Sequence, residues 1–478
     1  MPVPDDASTR ATSHQWLTGW RFVLVVVLVA AITHVPGFVR TGVLNPDESF
    51  LATEAQVIND GGHLYTDVVD RKPPIVPYLY AATFRVTGSD DLVWIRVLAL
   101  AAHVATALLV AAIARRRWGD TVAAMAAVLY LAATAGLVLE DSQPANFEVF
   151  MLPLMCAAMY FGDRGRDTAA GISTALATLA KQVGAATLLP LAYLAWRRDR
   201  LVGLVRLGLS FVVVILVAAL LFGWSDFFFW VFTDTGGYLD ASDSLRIALQ
   251  RGAAGFGVFF GANLGALLLI ALGIRRSRRE DIDLWLWLLS AVIAVSAGFR
   301  FFGHYFLQLA PPFALLAASA LHRASRSAWI RTGALAAASV AVFLVLDFSW
   351  HPNVLHPYDR IVAAIDHETE PGDHIFVWGH FSQLYWASDR RPATRFLTSS
   401  FLTGFSGGRA TQHVGPEYAV EGAWDDFAAD FAARPPKLIV DASEGTSFAV
   451  ERFPDFATYL RDYDRVGTVD GVVLYVHK

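Results

Sequence analysis

Residues Leu44–Tyr80 read LNPDESFLATEAQVINDGGHLYTDVVDRKPPIVPYLY. The stretch opens on two adjacent acids, Asp47 and Glu48, and closes on Asp70-Arg71-Lys72-Pro73-Pro74. Between them Phe50, Leu51, Ala55, Val57 and Ile58 recur at helical spacing, which predicts an amphipathic helix. Gly61-Gly62 reads as the turn that ends it. It is not a phosphate loop, because no Gly-Lys-Ser pattern follows. On charge alone the stretch is a solvated loop between membrane helices. What it does depends on what surrounds it.

The surroundings are apolar. The chain has 478 residues, 55% of them hydrophobic and 17% charged, with mean hydropathy +0.44. That balance excludes an ordinary soluble enzyme and points to an integral membrane protein. The net charge of -5 says little, since charge is segregated by membrane side. Basic residues occur in short clusters between apolar runs, so nothing suggests a nucleic-acid partner. One cysteine, Cys156, sits inside an apolar run, which excludes an internal disulfide and a cysteine-based metal site.

Residues 1–15 are polar and form a cytoplasmic tail in this reading, and 16–347 form the membrane domain, with the first external loop at 40–91. Trp16–Val35 is a retained helix and not a signal peptide, because no small-residue cleavage site follows it. Further spans are expected at 92–113, 121–139, 145–161, 168–180, 184–196, 202–222, 252–273, 284–299, 304–321 and 329–347. At ~20 residues per crossing this makes about eleven. The pair 168–180 and 184–196 is short for two crossings and reads either as two spans or as a hairpin. Arginine sets the orientation. Arg115-Arg116-Arg117, Arg164 and Arg166, Arg197-Arg198 with Arg200, Arg275 to Arg279, and Arg323 with Arg326 fall in alternate loops, which the positive-inside rule puts in the cytoplasm. Glu140-Asp141, Asp226 and Asp234 to Asp243 then lie outside, and so does everything after Asp347. The expected fold class is a polytopic α-helical membrane protein with a small C-terminal α/β extracytoplasmic domain at 348–478. Its strands are expected at His374–Trp378, Lys437–Val440 and Val472–Val476, with helices near 358–368, 381–388 and 424–433. No internal repeat of the transporter kind is visible.

Four cations break the topology rule: Arg71, Lys72, Lys181 and Arg300 all map to the outer side, near the membrane boundary. Only four of the 38 basic residues are lysines, and two of them are here. A charge beside apolar segments costs ~2.5–3.5 kcal/mol at helix centre, so one that is kept there faces a cavity and a partner. An anionic lipid head group is such a partner, with arginine offering a planar fork and lysine a point charge. Snorkelling to the interface is the plainer alternative.

The acids form a second set: Asp47 and Glu48, Glu140 and Asp141, and Glu148 one turn inside the next helix. A carboxylate beside an acceptor hydroxyl can serve as general base. Glu148 either does this or simply pairs with Lys181. Asn146 either hydrogen-bonds a sugar or caps its helix. His63 and His304 read first as hydrogen-bonded scaffolding; His304 stands out as one polar point in the aromatic run Phe301-Phe302-Gly303-His304-Tyr305.

Taken in order, these motifs resemble the GT-C glycosyltransferases, in particular the bacterial Rgt-like and protein O-mannosyltransferase-related enzymes that include the aminoarabinose transferases. The acidic pair is followed by Gly61-Gly62-His63-Leu64-Tyr65-Thr66-Asp67-Val68-Val69-Asp70-Arg71-Lys72-Pro73-Pro74, then Asn146-Phe147-Glu148, Leu179-Ala180-Lys181-Gln182, and His304-Tyr305-Phe306-Leu307-Gln308 with Pro311-Pro312. The resemblance covers residues 16 to about 347. It implies a polyprenyl-phosphate-linked sugar donor, a lipid, glycan or protein acceptor, and inverting transfer at the outer face of a bacterial cytoplasmic membrane. It implies Asp47 as general base, with Glu48 and Glu148 as further acids. Arg71, Lys72, Lys181, Arg300 and His304 would hold the donor phosphate, and Tyr65, Asp70, Asn146, Gln182 and Tyr305 would line the substrate. The basic pair Arg71-Lys72 before Pro73 is preceded by Asp70 where relatives often carry Glu, a departure that argues against a metal bridge through that position. No cofactor is required by this reading, and a divalent cation is left open. A ligase or polymerase of lipid-linked glycans, or a lipid or glycan transporter, is the alternative.

Overall fold

A computed structural model describes residues 19–40, 42–234, 245–274, 281–349, 358–405 and 413–478. The expected 1–15 tail, the Arg275–Arg279 cluster and most of the acidic stretch after Asp234 lie outside the described residues. The chain forms two compact units. The first comprises Met1–Thr41, Ile95–Ala218 and Ala248–Pro352; the second comprises Gly42–Trp94, Ala219–Ile247 and Asn353–Lys478.

The first unit is helical. Among the described residues five helices are long and apolar enough to cross a membrane, or six if the bent pair Leu245–Ala262 and Leu264–Gly273, meeting at 88°, is one span. Trp20–His34 and Asp120–Ala135 are apolar but shorter. The helices approach through small residues, as bilayer packing favours. A side chain at Gly171 would overlap the backbone of Leu207, and one at Gly162 would overlap Leu191.

The segment 168–196 resolves into helix Asp167–Ala180, an extended Lys181 (φ -156, ψ 137), and a 3₁₀ turn Gln182–Thr187 that runs into the next helix. Gly184 permits the turn, since a Cβ there would strike the Ala177 backbone. The long helix Leu188–Leu221 is broken at Arg200 (φ 54, ψ -130), between the two spans expected there. Loop arginines are neutralised by acids of the same unit: Arg117 by Asp163 and Asp283, Arg198 by Asp167, and Arg323 by Asp281.

The second unit carries a five-stranded sheet: β1 His374–Trp378, β2 Arg391–Pro392, β3 Leu438–Asp441, β4 Tyr463–Val469 and β5 Val472–His477. Its order is β2-β1-β3-β5-β4, with β1 parallel to β2 and β3, and β5 antiparallel to β3 and β4. The helices Asp359–Glu368, Gln383–Ala387 and Ala423–Ala433 stand where the sequence predicts them. β4 is not anticipated, because its residues are mostly exposed and mixed in character. The Asp470-Gly471 turn before β5, with φ 50 and 82, is a hairpin signal that could have revealed it.

The first loop belongs to this same unit. Helix Pro46–Asn59 starts on Asn45, whose side chain accepts the Asp47 N–H, with Pro46 at its first position. The loop is tied to the C-terminal segment by Val69 N–H to the Arg395 carbonyl at 3.1 Å, by Trp386 Nε1 to the Asp90 carbonyl at 3.0 Å, and by an Arg391–Asp60 ion pair.

Candidate active site

In the second unit the sequence-predicted residues gather at the start of helix Pro46–Asn59 and along the turn that leads to Pro73. Asp47 and Glu48 sit in the first helical turn, where the helix dipole favours negative charge. They are not equivalent. Glu48 is 0% exposed, and its Oε2 accepts the backbone N–H of Leu44 at 3.0 Å. That carboxylate closes the helix start, while Asp47 is only partly buried.

Asp70 lies close by. Burial pushes its carboxyl up to about 6; the Lys72 ammonium works against this, and the Asp47 charge adds to it. Tyr65 organises the turn. Its backbone has φ 75, and its hydroxyl donates to the Lys72 carbonyl at 2.8 Å. Its ring stands edge-on to Phe222 and Phe227 at 6.2 and 6.3 Å. Burial, Asp70 and Glu54 all hold its phenol well above the usual range. Arg71 pairs with Asp234, and its guanidinium lies 4.5 Å from the Phe401 ring centroid.

Glu54 was not singled out from the sequence. It is 0% exposed, and neither carboxyl oxygen has a hydrogen-bond partner among the described residues. Burial, then Asp70 and Asp47, raise its carboxyl well above the usual carboxylate range. The signal was present: Glu54 follows Leu51 by three residues and precedes Ile58 by four, so it falls on the helix's apolar face. His63, by contrast, is exposed and pairs with Asp67 at 3.5 Å, a surface contact.

The first unit gathers the others. Lys181 is buried and ion-paired with Glu148, which is fully buried. Its ammonium lies 4.1 Å from the Tyr305 ring centroid. The backbone at Lys181 is extended, between two helical segments. The His304 backbone N–H donates to Asp141 Oδ1 at 3.0 Å, and its Nδ1 stands 3.4 Å from the same oxygen. The His304 ring packs against Phe302 and Tyr305 at 5.7 and 4.9 Å. Arg300 is 2% exposed. Asn146 stands at the N-cap of its helix, but its side chain makes no capping hydrogen bond; its amide is buried, with no partner for either atom among the described residues. Gln182 opens the 3₁₀ turn directly after Lys181.

Among the described residues no three His, Cys, Asp or Glu side chains come together as metal ligands would. Each unit offers acids beside cations: Asp70 with Lys72 in the second, Glu148 with Lys181 in the first. Such a pairing can take up a proton and hold an anion.

The family model described as dolichyl-phosphate-mannose-protein mannosyltransferase matches residues 71–224. No curated protein matches the chain in sequence. Among solved structures the fold is similar to ArnT from Cupriavidus metallidurans bound to undecaprenyl phosphate, at 15% identity and TM-score 0.63, covering 96% of this chain and 98% of that one. The apo form of that protein matches at TM-score 0.63 and 15% identity, covering 94% and 97%. The oligosaccharyltransferase AglB from Archaeoglobus fulgidus, in complex with an inhibitory peptide and a dolichol-phosphate, is similar at 14% identity and TM-score 0.53, covering 96% of this chain and 75% of that one.

Proposed function

We propose that this chain, a multi-pass membrane protein with the fold of the GT-C glycosyltransferases, moves a sugar from a polyprenyl-phosphate donor to a lipid, glycan or protein of the cell envelope. The observation that carries the reading is the first loop itself, with Asp47 in the first turn of helix Pro46–Asn59 and the turn carrying Asp70 and Lys72 held by Tyr65, whose hydroxyl donates to the Lys72 carbonyl. The undecaprenyl phosphate bound by ArnT and the dolichol-phosphate held by AglB support the donor class.

In this reading Asp47 takes the proton of the acceptor hydroxyl, whose oxygen attacks the anomeric carbon from the side opposite the phosphate. The bond from that carbon to the phosphate oxygen breaks, the configuration inverts, and polyprenyl phosphate leaves with the electron pair. Lys72 and Arg71 neutralise the departing phosphate, the electrostatic contribution that usually dominates such steps. Lys181 and Arg300 are further candidate phosphate cations, and Glu148 holds Lys181 in place. Tyr65 positions the Lys72 backbone and lines the substrate with Asp70. Eleven crossings, a cytoplasmic N-terminus and an extracytoplasmic α/β segment after Asp347 put this chemistry at the outer membrane face in the same reading.

The purified protein is to be incubated with polyprenyl monophosphate and diphosphate sugars carrying hexoses or pentoses. Transfer from monophosphate donors is expected. Asp47→Asn is expected to abolish transfer while donor binding persists. Turnover at the wild-type rate in that variant removes Asp47 as base, and transfer from diphosphate donors alone favours a ligase.

A further inference from the structure

Strands β1 and β3 end side by side, with Trp378 opposite Asp441. In open α/β sheets, ligands collect at the carboxyl ends of parallel strands. β1 runs directly into Gly379-His380. Gly379 has φ 144, and a Cβ there would lie 3.2 Å from Ala442, so the turn needs glycine. The Gly379 carbonyl accepts the Ser399 N–H at 3.0 Å. Two residues further on, the Phe401 ring carries the Arg71 guanidinium at 4.5 Å. The strand end, the Ser399–Phe401 segment and the first-loop arginine are thus one patch within the second unit.

His380 packs against Phe405 and Phe448 at 4.7 and 5.6 Å. Burial and the Arg71 charge bring its imidazole down to about 4, so it is neutral and offers one donor and one acceptor. Its Nε2, the Ser399 hydroxyl and both amide atoms of Gln383 are enclosed without hydrogen-bond partners among the described residues. Ser399 is 0% exposed and Gln383 1%. Buried polar groups are nearly always satisfied, and a run of exceptions at a strand end marks a place where a polar ligand is to be met.

We propose that this strand-end patch, His380 and Ser399 beside Arg71, binds the sugar ring of the lipid-linked donor. The inference rests on the reading above, in which Arg71 holds the donor phosphate. The sugar is attached to that phosphate through one oxygen, so its hydroxyls fall within a few ångströms of whatever Arg71 grips. A neutral imidazole and a hydroxyl exchange hydrogen bonds with sugar hydroxyls, while Phe405 presents an aromatic surface to the ring's C–H face. These are binding groups, and neither touches the bond that breaks.

The test uses the full chain in lipid nanodiscs and three probes: bare undecaprenyl phosphate, undecaprenyl-phosphate hexose and undecaprenyl-phosphate pentose. His380→Ala and Ser399→Ala are expected to weaken the better-bound sugar lipid by about tenfold, and to leave bare undecaprenyl phosphate within about twofold, the scale of one lost hydrogen-bonding group. His380→Gln keeps a donor and an acceptor and is expected to recover part of the loss; it also serves if the alanine variant fails to fold. Equal weakening of bare and sugar-bearing lipids overturns the proposal, as does no change in either. Unchanged donor binding with a raised KM for the acceptor also overturns it and assigns the patch to the acceptor. If the wild-type chain binds none of the three lipids, the donor reading falls and takes this inference with it. If it binds them and the variants do not discriminate, only the inference falls.

Discussion

Replacing Lys181 separates what the buried pair does for the fold from what it does for the substrate. Glu148 is 0% exposed, and its Oε2 has no hydrogen-bond partner among the described residues. The Lys181 ammonium is its ion-pair partner. Lys181→Met strands the carboxylate, and removing one partner of a buried pair costs about 3–5 kcal/mol. The cation above Tyr305 is lost as well, adding about 0.5–2 kcal/mol. Glu148→Leu alone removes the carboxylate that the buried ammonium is ion-paired with, and a loss of similar size is expected. Together the two changes replace an ion pair by apolar side chains of similar size, which is often close to neutral. Unfolding of the four proteins in mild detergent is expected to show the double variant recovering most of either loss, a coupling of about 3 kcal/mol. A double variant no more stable than Lys181→Met refutes the dependence of Glu148 on Lys181. Transfer assays read the other role. If Lys181 also meets the donor phosphate, the refolded double variant stays impaired, chiefly in donor affinity. Wild-type kcat/KM in a stable double variant leaves the lysine structural only.

Three further outcomes are expected. Burial raises Asp70 from 3.8 to about 6, so between those values the folded chain keeps a proton that the unfolded chain has lost. Stability then falls as pH rises through that window and levels off above it; Asp70→Asn should flatten this slope in thermal unfolding at pH 4 to 7, and parallel curves would contradict it. A Cβ at Gly303 would overlap the Asp141 carboxylate, which holds the His304 N–H at 3.0 Å. Gly303→Ala is therefore expected to destabilise by about 1–3 kcal/mol, and an unchanged unfolding midpoint would show that Asp141 moves aside freely. Deleting residues 353–478 removes the partners of Val69, Asp60 and Asp90. The truncated chain should lose donor binding together with transfer, and wild-type donor affinity in it would show that the first loop holds its shape alone.

How far the sequence speaks depends on whether a feature is local. The helix Pro46–Asn59 was legible because its signals are adjacent: an Asn-Pro start, acids in the first turn, apolar positions at helical spacing and a Gly-Gly stop. Membrane helices were legible from composition for the same reason. The breaks at Lys181 and Arg200 fall in the gaps between the spans expected at 168–180, 184–196 and 202–222, because each interrupts an apolar run with charge. Of the site residues, sequence order alone could suggest that Glu148 and Lys181 meet, because acid and cation sit in neighbouring apolar segments that need to neutralise each other. It could not distinguish Glu48 from Asp47. Both are acids at a helix start, and Glu48 is the one buried and bonded to the Leu44 N–H.

The tail shows the limit most clearly. Arg391 pairs with Asp60, a residue 331 positions away, and no periodicity links them. His380 likewise acquires meaning only through Arg71, which reaches it by way of Phe401 and the Gly379–Ser399 hydrogen bond. A chain that folds its first loop together with its last strands leaves each half incomplete when read alone. Val377-Trp378-Gly379 looks like an ordinary strand and turn until the first loop's cation is set beside its end. The same logic hides Glu54 in the sequence. A single acid in an apolar stripe reads as an imperfection of the helix, whereas the Asp70 and Asp47 charges beside it raise the Glu54 carboxyl further than burial alone.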